Sequence, residues 1–373
     1  MRRRDFLKSL FSYTRYAALA GLLPATIIRN QAMASDQGRK FFDKVNKISL
    51  RELSENKIHH HNGRFLNPFN SRGHKSFWTV LNWRLFKKNN FEDLYDRERV
   101  VPVNIDWRPI RDHHGCAVTF IKHASIMIKD DDQFFLVDPV FNSFFWYTDF
   151  SPLAIDLKEM PSPDNILITH GHYDHLDMET LAQFDNKTHV ISPIGYRGLF
   201  NKLKIKRHTQ LDWFETFSEK GTEIICLPCN HWSMRNPITG PNTSLWSSFL
   251  IRTKSGVNIY VSGDTAYFDR FNELGKEFPI DLAIFNLGAY EPRWFMADSH
   301  INPAETVRAF RELRAKHLMV VHWGSFRLGD EPVYLPPRDI RKEMDGNGLT
   351  EKLLNINSGQ TLFYEDNEHI RIL

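Results

Sequence analysis

Cysteine is scarce in this sequence, because the 373 residues contain only Cys116, Cys226 and Cys229. An odd number of cysteines cannot form a closed disulfide framework, so the chain is not a small domain stabilised by disulfides. Cys226 and Cys229 have the C-x-x-C spacing of redox and metal sites, but no second pair accompanies them. We therefore interpret these two as partly buried thiols of a strand.

The apolar stretch near the N-terminus is too short to cross a bilayer comfortably. It runs from Tyr16 to Ile28 and is interrupted by Gly21 and Pro24, whereas a spanning helix needs about 20 apolar residues. It follows the sequence MRRRDFLKSL, whose arginine pair at positions 3 and 4 resembles a twin-arginine export signal. We expect an exported, periplasmic protein. Because this route carries folded proteins, metal ions could be loaded before export.

A cleavage site follows this stretch, since Ala32-Met33-Ala34 has the small-x-small pattern directly before Ser35. The sequence therefore predicts a signal peptide of residues 1–34. An uncleaved anchor and a basic amphipathic start are the alternatives.

An excess of positive charge is also absent from the expected mature chain. Removing residues 1–34 removes six basic residues and one acidic residue, which changes the formal net charge from +3 to −2. A nucleic-acid partner is not expected, because such proteins carry a strongly basic surface.

Clear strand alternation is lacking between Ser35 and Asp112, where the chain is polar with scattered aromatic residues. We expect residues 35–112 to form an N-terminal arm that packs on a main domain of residues 113–373. The tract His59-His60-His61 has no carboxylate near it in sequence, and we interpret it as a solvated loop; metal binding is the alternative. Tandem repeats are not seen.

The densest cluster of metal-binding side chains lies between Thr169 and Asp177, directly after the apolar residues 166–168. Imidazole and carboxylate bind zinc and similar divalent ions, and an extended loop points alternate residues to one side. A solvated polar loop would not require three histidines and an aspartate in six residues. The H-x-H-x-D-H spacing therefore predicts a metal-binding loop at the end of a strand, with the ligands His170, His172, Asp174 and His175.

Three further candidate ligands follow other apolar runs. His231 follows residues 224–228, Asp264 follows residues 257–263, and His322 follows residues 317–321. Each is a β-rich segment that ends in a ligand, so we expect the ends of several strands to converge on one site.

The order of these motifs resembles the metallo-β-lactamase fold superfamily. The resemblance implies two metal ions with three ligands each and one shared carboxylate. The first ion would be bound by His170, His172 and His231. The second would be bound by Asp174, His175 and His322. Asp264 would bridge the two ions, and Asp138, at the end of residues 133–137, would orient the ligands; a strand-terminating turn is the alternative for Asp138.

The same resemblance implies an α/β fold, a four-layered αββα sandwich. Strands are expected at residues 117–121, 124–129 and 133–137, with a turn at 130–132. Helices are expected at residues 178–184, 194–204, 268–276 and 303–314. Asn302 is the expected cap of the last helix, and Pro303 suits its first turn.

A narrower resemblance joins the chain to the branch containing the phospholipase D that hydrolyses N-acylphosphatidylethanolamine. It covers residues 63 to about 340. Its motifs are LGAYEPRWFM at 287–296, NHW at 230–232, LWSS at 245–248, GDTAY at 263–267, HWGSF at 322–326 and GRFLNP at 63–68. Two positions depart from this branch: Ser299 stands where glutamine is frequent, and Lys122 stands where glycine is usual.

The branch implies a zinc-dependent phosphodiesterase with two zinc ions per chain, acting on N-acylphosphatidylethanolamine or a related glycerophospholipid. Two adjacent cations lower the pKa of a shared water and stabilise charge on phosphoryl oxygens. Asp174 and Asp264 would position that water. His300 would bind the substrate phosphate or protonate the leaving group; a surface histidine beside the Asn302 cap is the alternative.

Other functions remain open at this point. A lactonase or another phosphoester hydrolase is the alternative among enzymes, and a non-catalytic lipid-binding or scaffold protein is the alternative outside them. The seven filled ligand positions favour an enzyme. The aromatic run at residues 144–147 would line an acyl groove, contact a membrane surface peripherally, or pack on the arm. The oligomeric state is undetermined, a homodimer included.

Overall fold

The computed structural model describes residues 36–70, 82–83, 87–143, 147–236, 238–365 and 369–373. The expected signal peptide lies outside these ranges, as do the first three residues of the aromatic run, Phe144, Phe145 and Trp146. Among the helices in the described ranges, none combines the length and the hydropathy that crossing a bilayer requires.

Most strands belong to two sheets. In chain order the strands are β1 His60–His61, β2 Arg64–Phe65, β3 Cys116–Lys122, β4 Ser125–Asp130, β5 Gln133–Val137, β6 Asn165–Leu167, β7 His189–Pro193, β8 His208–Leu211, β9 Thr216–Glu219, β10 Thr222–Leu227, β11 Ser248–Arg252, β12 Asn258–Val261, β13 Leu282–Asn286, β14 His317–Val321, β15 Thr361–Tyr364 and β16 Ile370–Ile372. The larger sheet has the order β16-β15-β3-β4-β5-β6-β7-β8, and the smaller has the order β14-β13-β12-β11-β10-β9. β1 and β2 form a separate hairpin.

Each sheet combines an antiparallel part with a parallel part. β5 to β8 run parallel in the larger sheet, and β12 to β14 run parallel in the smaller one. The carboxyl ends of parallel strands meet at one edge of a sheet, where the connecting loops begin. The candidate ligands at 170–175, Asp264 and His322 lie in these loops, and His231 follows the antiparallel strand β10.

Alternate side chains of the larger sheet enter two different apolar cores. Val118 and Phe120 of β3 lie in the core between the two sheets, which also contains Phe249 of β11. Ala117 and Ile121 of the same strand lie in a second core on the opposite face. Because successive side chains of a strand point to opposite faces, a strand that is apolar throughout indicates a sheet covered on both sides.

Helices form the two outer layers. In chain order they are α1 Asp36–Val45, α2 Leu50–Glu55, α3 Trp107–Asp112, α4 Met178–Leu181, α5 Arg197–Lys202, α6 Phe271–Glu277, α7 Arg293–Met296, α8 Pro303–Leu313 and α9 Leu335–Gly346, with 3₁₀ turns at Glu92–Arg97 and Thr350–Lys352. Side chains of α3, α4 and α5 share the second core with the larger sheet. Those of α6, α8 and α9 pack on the smaller sheet. The predicted αββα sandwich is confirmed.

The four predicted helices are present as α4, α5, α6 and α8, but several are shorter than expected, and the sequence did not predict α1, α2, α3, α7 and α9. α5 begins three residues after the predicted start at Ile194, because Gly195 has a φ of +110°, which a helix does not allow. α8 agrees closely with the prediction. The Asn302 side chain accepts from Glu305 N, the Glu305 carboxylate accepts from Asn302 N, and Pro303 occupies the first turn.

The described part of the arm is joined to the main domain by buried contacts. Leu50 N donates to Glu273 Oε2 at 2.8 Å, and Ser54 Oγ donates to Trp213 O at 2.6 Å. Val45 is buried and belongs to the same apolar cluster as the side chains of α6 and of the smaller sheet. These contacts fasten α1 and α2 to the side of the smaller sheet.

The interpretation of His59-His60-His61 as a solvated loop is wrong for His59. The His59 side chain is fully buried and stacks on Trp213, with 4.2 Å between ring centroids. Its Nε2 lies 2.7 Å from Asp212 Oδ1, and His60 Nε2 lies 2.8 Å from Asp212 Oδ2. The partner carboxylate follows β8 and is far away in the sequence, so no local pattern could reveal it.

The cysteine interpretation is confirmed in its main point. All three thiols are free and buried, and burial raises the pKa of Cys226 and of Cys229 above the ordinary value. A buried thiol with a raised pKa is a poor nucleophile and a poor metal ligand.

Candidate metal centre

The predicted ligands come from both sheets and meet at one place. The H-x-H-x-D-H loop follows β6 of the larger sheet, and the other candidate ligands follow β10, β12 and β14 of the smaller sheet. His231, Asp264 and His322 lie within four residues of the ends of their strands, and the loop begins with His170, three residues after β6. Strand direction therefore carries these ligands to the shared edge. Most side chains of this centre are buried, and His172 and Asp174 keep partial exposure.

Three imidazoles form the first group of candidate ligands. His170 Nε2 lies 2.9 Å from His172 Nδ1, and His231 Nε2 lies 3.3 Å from the same atom. Two nitrogens that bind one tetrahedral zinc ion at about 2.05 Å are about 3.3 Å apart. Asp264 Oδ2 completes the group, at 3.9 Å from His170 Nε2 and 3.8 Å from His231 Nε2. The spacing therefore fits one divalent ion.

A second group lies on the other side of Asp264. His175 Nε2 is 3.3 Å from Asp264 Oδ2, and His322 Nε2 is 3.3 Å from Asp264 Oδ1. Asp174 Oδ2 lies 3.6 Å from His175 Nε2 and 3.5 Å from His322 Nε2. Both of these Nε2 atoms are buried and have no hydrogen-bond partner among the described residues. Buried polar atoms without partners are costly, and both nitrogens could bind a cation once His175 has released its proton.

Burial and the neighbouring charges shift the pKa values of several side chains in the centre. Burial lowers the pKa of His172 to about 4, so its imidazole is neutral at pH 7. Burial raises the pKa of Asp264, but the surrounding imidazoles, His175 above all, outweigh burial and hold that pKa well below its usual range. His175 differs, because Asp264, Asp174 and Asp138 raise its pKa well above the ordinary value in spite of burial. A bound cation would replace that proton.

Asp138 orients His175. Its Oδ2 lies 2.7 Å from His175 Nδ1, and Thr169 donates to the same carboxylate from its backbone N at 2.7 Å and its hydroxyl at 2.5 Å. Because a carboxylate accepts the Nδ1 proton, the Nε2 atom of His175 is directed at the centre. The structure thus brings Asp138 to the position that the resemblance implied.

His231 is oriented by a backbone carbonyl. Its Nδ1 donates to Ser299 O at 2.9 Å, which leaves Nε2 directed at His172 and Asp264. The contact uses the main chain of Ser299. A glutamine or a serine at this position can make the same bond.

His300 lies beside the two groups without belonging to either. Its Nδ1 is 3.8 Å from Asp264 Oδ2, and its ring is 5.4 Å from that of His231. Burial lowers its pKa to about 4. Arg293 holds this segment, because its Nη1 donates to His300 O at 2.9 Å while its Nη2 pairs with Glu305 at 2.8 Å. His300 is therefore a mostly buried side chain of the centre.

A glycine allows the His322 backbone to approach closely. A Cβ added at Gly288 would lie 2.1 Å from His322 O, which no side chain permits. His322 itself has a φ of 69°, and its N donates to His123 O. The LGAY segment thus requires glycine at this position so that His322 can turn into the centre.

Comparison with known proteins agrees with this geometry. A family model described as a beta-lactamase superfamily domain matches residues 133–323, which are half of the chain. The match includes all seven ligands that the sequence predicted. This chain belongs to the beta-lactamase superfamily. Relatives of this chain include hydrolases, and this chain is a metal-dependent hydrolase of the same superfamily.

Within the superfamily, the chain belongs to the branch of the N-acylphosphatidylethanolamine-hydrolysing phospholipases D. It is 31% identical over 311 residues to such an enzyme, phospholipase D 1 of Caenorhabditis elegans, covering 76% of this chain and 87% of the relative. It is also 31% identical over 240 residues to the mitochondrial N-acyl-phosphatidylethanolamine-hydrolyzing phospholipase D of Saccharomyces cerevisiae, covering 61% of this chain and 51% of that protein.

Similarity to solved structures supports the fold. An isothiocyanate hydrolase from Delia radicum gut bacteria has a TM-score of 0.54 and 17% identity, and the match covers 66% of this chain and 97% of that protein. At this identity the similarity establishes the metallo-β-lactamase fold and not the substrate.

Sequence reasoning missed His123 in this superfamily fold. The side chain is fully buried, and its Nε2 lies 3.2 Å from Asp174 Oδ2, so it belongs to the second group. Two backbone contacts fix it, since His123 N donates to Ser325 Oγ at 2.9 Å and His123 O accepts from His322 N. A signal was present, because His123 directly follows β3 in the same way that the predicted ligands follow their strands.

Lys122, the second departure from the branch, pairs with a carboxylate that is not one of the candidate ligands. Its Nζ is buried and lies 2.6 Å from Asp149 Oδ2 and 5.0 Å from the centre of the Phe326 ring. The pair joins the end of β3 to the segment after the aromatic run. The cation is thus neutralised within the protein and adds no free charge to the metal centre.

Proposed function

We propose that this chain is a zinc-dependent phosphodiesterase of the phospholipase D type. Its substrate is N-acylphosphatidylethanolamine or a related glycerophospholipid, and its products are phosphatidic acid and the head-group alcohol. The observation that carries the proposal is the position of Asp264 between two ligand groups, in a chain aligned over 87% of a nematode enzyme with that name.

The residues present fit two zinc ions. His170, His172 and His231 would hold one, and Asp174, His175 and His322 would hold the other, with Asp264 shared. Nitrogen and carboxylate donors without thiolates suit zinc and similar borderline ions. When bound, two such ions lower the pKa of a shared water and stabilise negative charge on phosphoryl oxygens.

His300 supplies a hydrogen-bond donor to the substrate. Burial keeps the ring neutral at pH 7, as its pKa of about 4 requires. A neutral imidazole carries one N–H and donates a hydrogen bond more readily than it transfers a proton. We therefore assign His300 to binding of a phosphoryl oxygen or of the leaving-group oxygen.

Amphipathic side chains near the centre favour a lipid substrate. Tyr173, Ile238 and Trp294 are exposed, at 38%, 82% and 48%. Tyr173 and Ile238 lie in the loops that carry the candidate ligands, and Trp294 lies in α7, shortly before His300. Cations accompany the two aromatic rings: Arg235 Cζ lies 4.1 Å from the centre of the Tyr173 ring, and Lys87 Nζ lies 6.0 Å from that of Trp294. Aromatic and cationic side chains together suit the boundary between head groups and acyl chains.

The same proposal includes the cellular location. The arginine pair in residues 1–34 favours export of the folded protein by the twin-arginine route to the periplasm. There, peripheral contact with a membrane would bring the centre to its lipid substrate. Residues 1–34 lie outside the described part of the chain, and the support is the sequence alone.

The proposal is tested with purified protein and a panel of phospholipids. We expect release of the head-group alcohol from N-acylphosphatidylethanolamine, complete loss after dialysis against a chelator, and recovery with two equivalents of zinc. The Asp264→Ala variant should be inactive, and His189→Ala, which removes a half-buried histidine of β7 outside the centre, should retain activity. A protein that stays inactive after zinc loading contradicts the proposal and favours a lipid-binding or scaffold role.

Isotope from labelled water separates the enzymatic alternatives. Hydrolysis at phosphorus forms a P–O bond to the water oxygen and breaks the bond to the head-group oxygen, which takes up a proton. We therefore expect heavy oxygen in the phosphate of phosphatidic acid. Label found only in a carboxylate would show cleavage of an ester or a lactone and would overturn the phospholipase D assignment.

A further inference from the structure

Asn286 makes a direct contact with the carboxylate shared by the two ligand groups. It is the last residue of β13 and is only 3% exposed. Its Nδ2 donates to Asp264 Oδ1 at 2.9 Å. A carboxylate can only accept, so the amide must present its nitrogen and not its oxygen to Asp264. The direction of the bond is therefore determined by chemistry.

Neighbouring parallel strands bring the two residues together. Val261 of β12 pairs with Ile284 of β13, and Asp264 and Asn286 follow these positions by three and two residues. Ser262 bridges the strands between them, because its N donates to Ile284 O at 2.9 Å and its Oγ accepts from Asn286 N at 3.0 Å. Asn286 is thus held by the sheet and not by a loop.

The two oxygens of Asp264 have different surroundings. Oδ2 lies 3.3 Å from His175 Nε2 and 3.8 Å from His231 Nε2, so it faces both ligand groups. Oδ1 accepts from Asn286 and lies 3.3 Å from His322 Nε2 of the second group alone. Rotation of the carboxylate about its Cβ–Cγ bond would exchange the two oxygens. The Asn286 bond opposes that rotation.

We propose that Asn286 is a positioning residue of the metal centre: it holds Oδ1 so that Oδ2 faces both ion positions. The inference rests on the two-ion centre of the proposed function and adds the residue that orients its shared ligand. Hydrogen-bond partners of metal ligands typically contribute about 10- to 100-fold to metal affinity or activity. The contact involves neither the substrate nor His300.

The test measures metal binding in the whole chain, independently of any substrate. Cobalt(II) is titrated into the metal-free protein against a coloured chelator, and the visible absorption bands of bound cobalt report the ligand geometry. We expect Asn286→Leu to bind cobalt about 10- to 100-fold more weakly and to shift these bands. Asn286→Gln, which keeps an amide donor, should recover part of both effects.

Asn165→Leu is the matched control, since Asn165 is also a fully buried asparagine of a strand, β6, and its side chain has no hydrogen-bond partner among the described residues. It should keep wild-type affinity and spectrum. If Asn286→Leu does not fold, Asn286→Ser, which is smaller and cannot reach Asp264, replaces it. Wild-type affinity and an unshifted spectrum in either folded variant would overturn the inference.

The outcomes separate this inference from the proposed function. A wild-type protein that binds two cobalt ions but hydrolyses no phosphodiester overturns the substrate and leaves the Asn286 comparison valid. A wild-type protein that binds no cobalt overturns both. If Asn286→Leu binds cobalt more weakly and its absorption bands are shifted, the positioning role is supported whichever substrate is found.

Discussion

His123 Nε2 lies 3.2 Å from Asp174 Oδ2, inside the group that also contains His175 and His322. Both residues are held by backbone that follows the end of a strand, β3 for His123 and β6 for Asp174. The imidazole is therefore available either as a donor to the Asp174 carboxylate or as a further ligand of the same ion. In both roles it acts on the second group and not on the first.

Replacing His123 should weaken the binding of one metal ion and leave the binding of the other unchanged. We expect His123→Phe to bind the second metal ion about 10- to 100-fold more weakly, because Asp174 loses its neighbour, while the first ion keeps its affinity. Stepwise zinc titration by calorimetry measures the two affinities. His189→Phe is the control for loss of a half-buried histidine. Equal weakening of both ions would contradict a role confined to the second group.

Removing the charge of Asp138 should lower zinc affinity or turnover, because Asp138 orients the candidate ligand His175. In Asp138→Asn an amide replaces the carboxylate that accepts the His175 Nδ1 proton at 2.7 Å. We expect a loss of about 10- to 100-fold in zinc affinity or turnover, since the ligand becomes less basic and less well oriented. Asp281→Asn changes a half-buried aspartate outside the centre and should leave zinc affinity unchanged. Competition with a chelator of known affinity gives the measurement.

The effect of replacing His300 on the rate of hydrolysis should depend on the leaving group of the substrate. If His300 donates to the leaving-group oxygen, His300→Ala slows hydrolysis of a lipid with an alkoxide leaving group by about 10²-fold or more, and that of an activated aryl phosphodiester much less. Turnover of the two substrates at saturation is compared. Equal losses would assign His300 to the phosphoryl oxygen instead. His317→Ala, which alters a histidine at the start of β14, should change neither rate.

Acid stability should depend on His59. Burial lowers the pKa of this imidazole below 6.5, although Asp212 opposes the shift. Below about pH 6.5 the His59 imidazole is protonated in the unfolded chain but stays neutral in the folded chain. The free energy of unfolding therefore falls as the pH falls through this range. His59→Gln keeps a donor to Asp212 but cannot titrate. We expect it to cost about 1 kcal/mol at pH 8, through lost stacking on Trp213, and to flatten the decline between pH 7 and pH 5.

Chemical unfolding of wild type and His59→Gln at several pH values gives the comparison, with zinc held constant. Lys57 and His60 also contact Asp212, so His60→Gln is the matched control on the exposed side of the same carboxylate. A decline in His59→Gln as steep as in wild type would contradict the assignment.

Export should depend on the arginine pair. Changing Arg3 and Arg4 together to lysine should leave the precursor inside the cell in a bacterium with a twin-arginine pathway, whereas Arg2→Lys should be exported. Fractionation and immunoblotting measure the distribution, and N-terminal sequencing of the exported protein should begin at Ser35. Normal export of the double-lysine protein would exclude this route.

Several features of this protein could be predicted from local sequence. Apolar runs that end in histidine or aspartate predicted both the strands and the direction of the candidate ligands, because a strand carries the next residues to one edge of its sheet. The Asn302 cap and Pro303 could also be predicted, because a helix start depends on three or four neighbouring residues. The order of the motifs then indicated the superfamily.

Contacts between distant segments could not be predicted in this way. His59 and Asp212 lie on different elements and meet only when the arm packs on the main domain, and Asn286 reaches Asp264 only through the pairing of β12 with β13. The length of α5 was decided by the backbone of Gly195.

The sequence by itself determined the fold class, the superfamily and the candidate ligands, because these depend on periodicity, spacing and order along the chain. The tertiary structure decided which carboxylate accepts from which histidine, which oxygen of Asp264 faces both groups, and that His123 belongs to the centre. The physical reason is that a hydrogen bond or a shared ligand depends on distances of about 3 Å between atoms, and only the packing of the two sheets brings those atoms together.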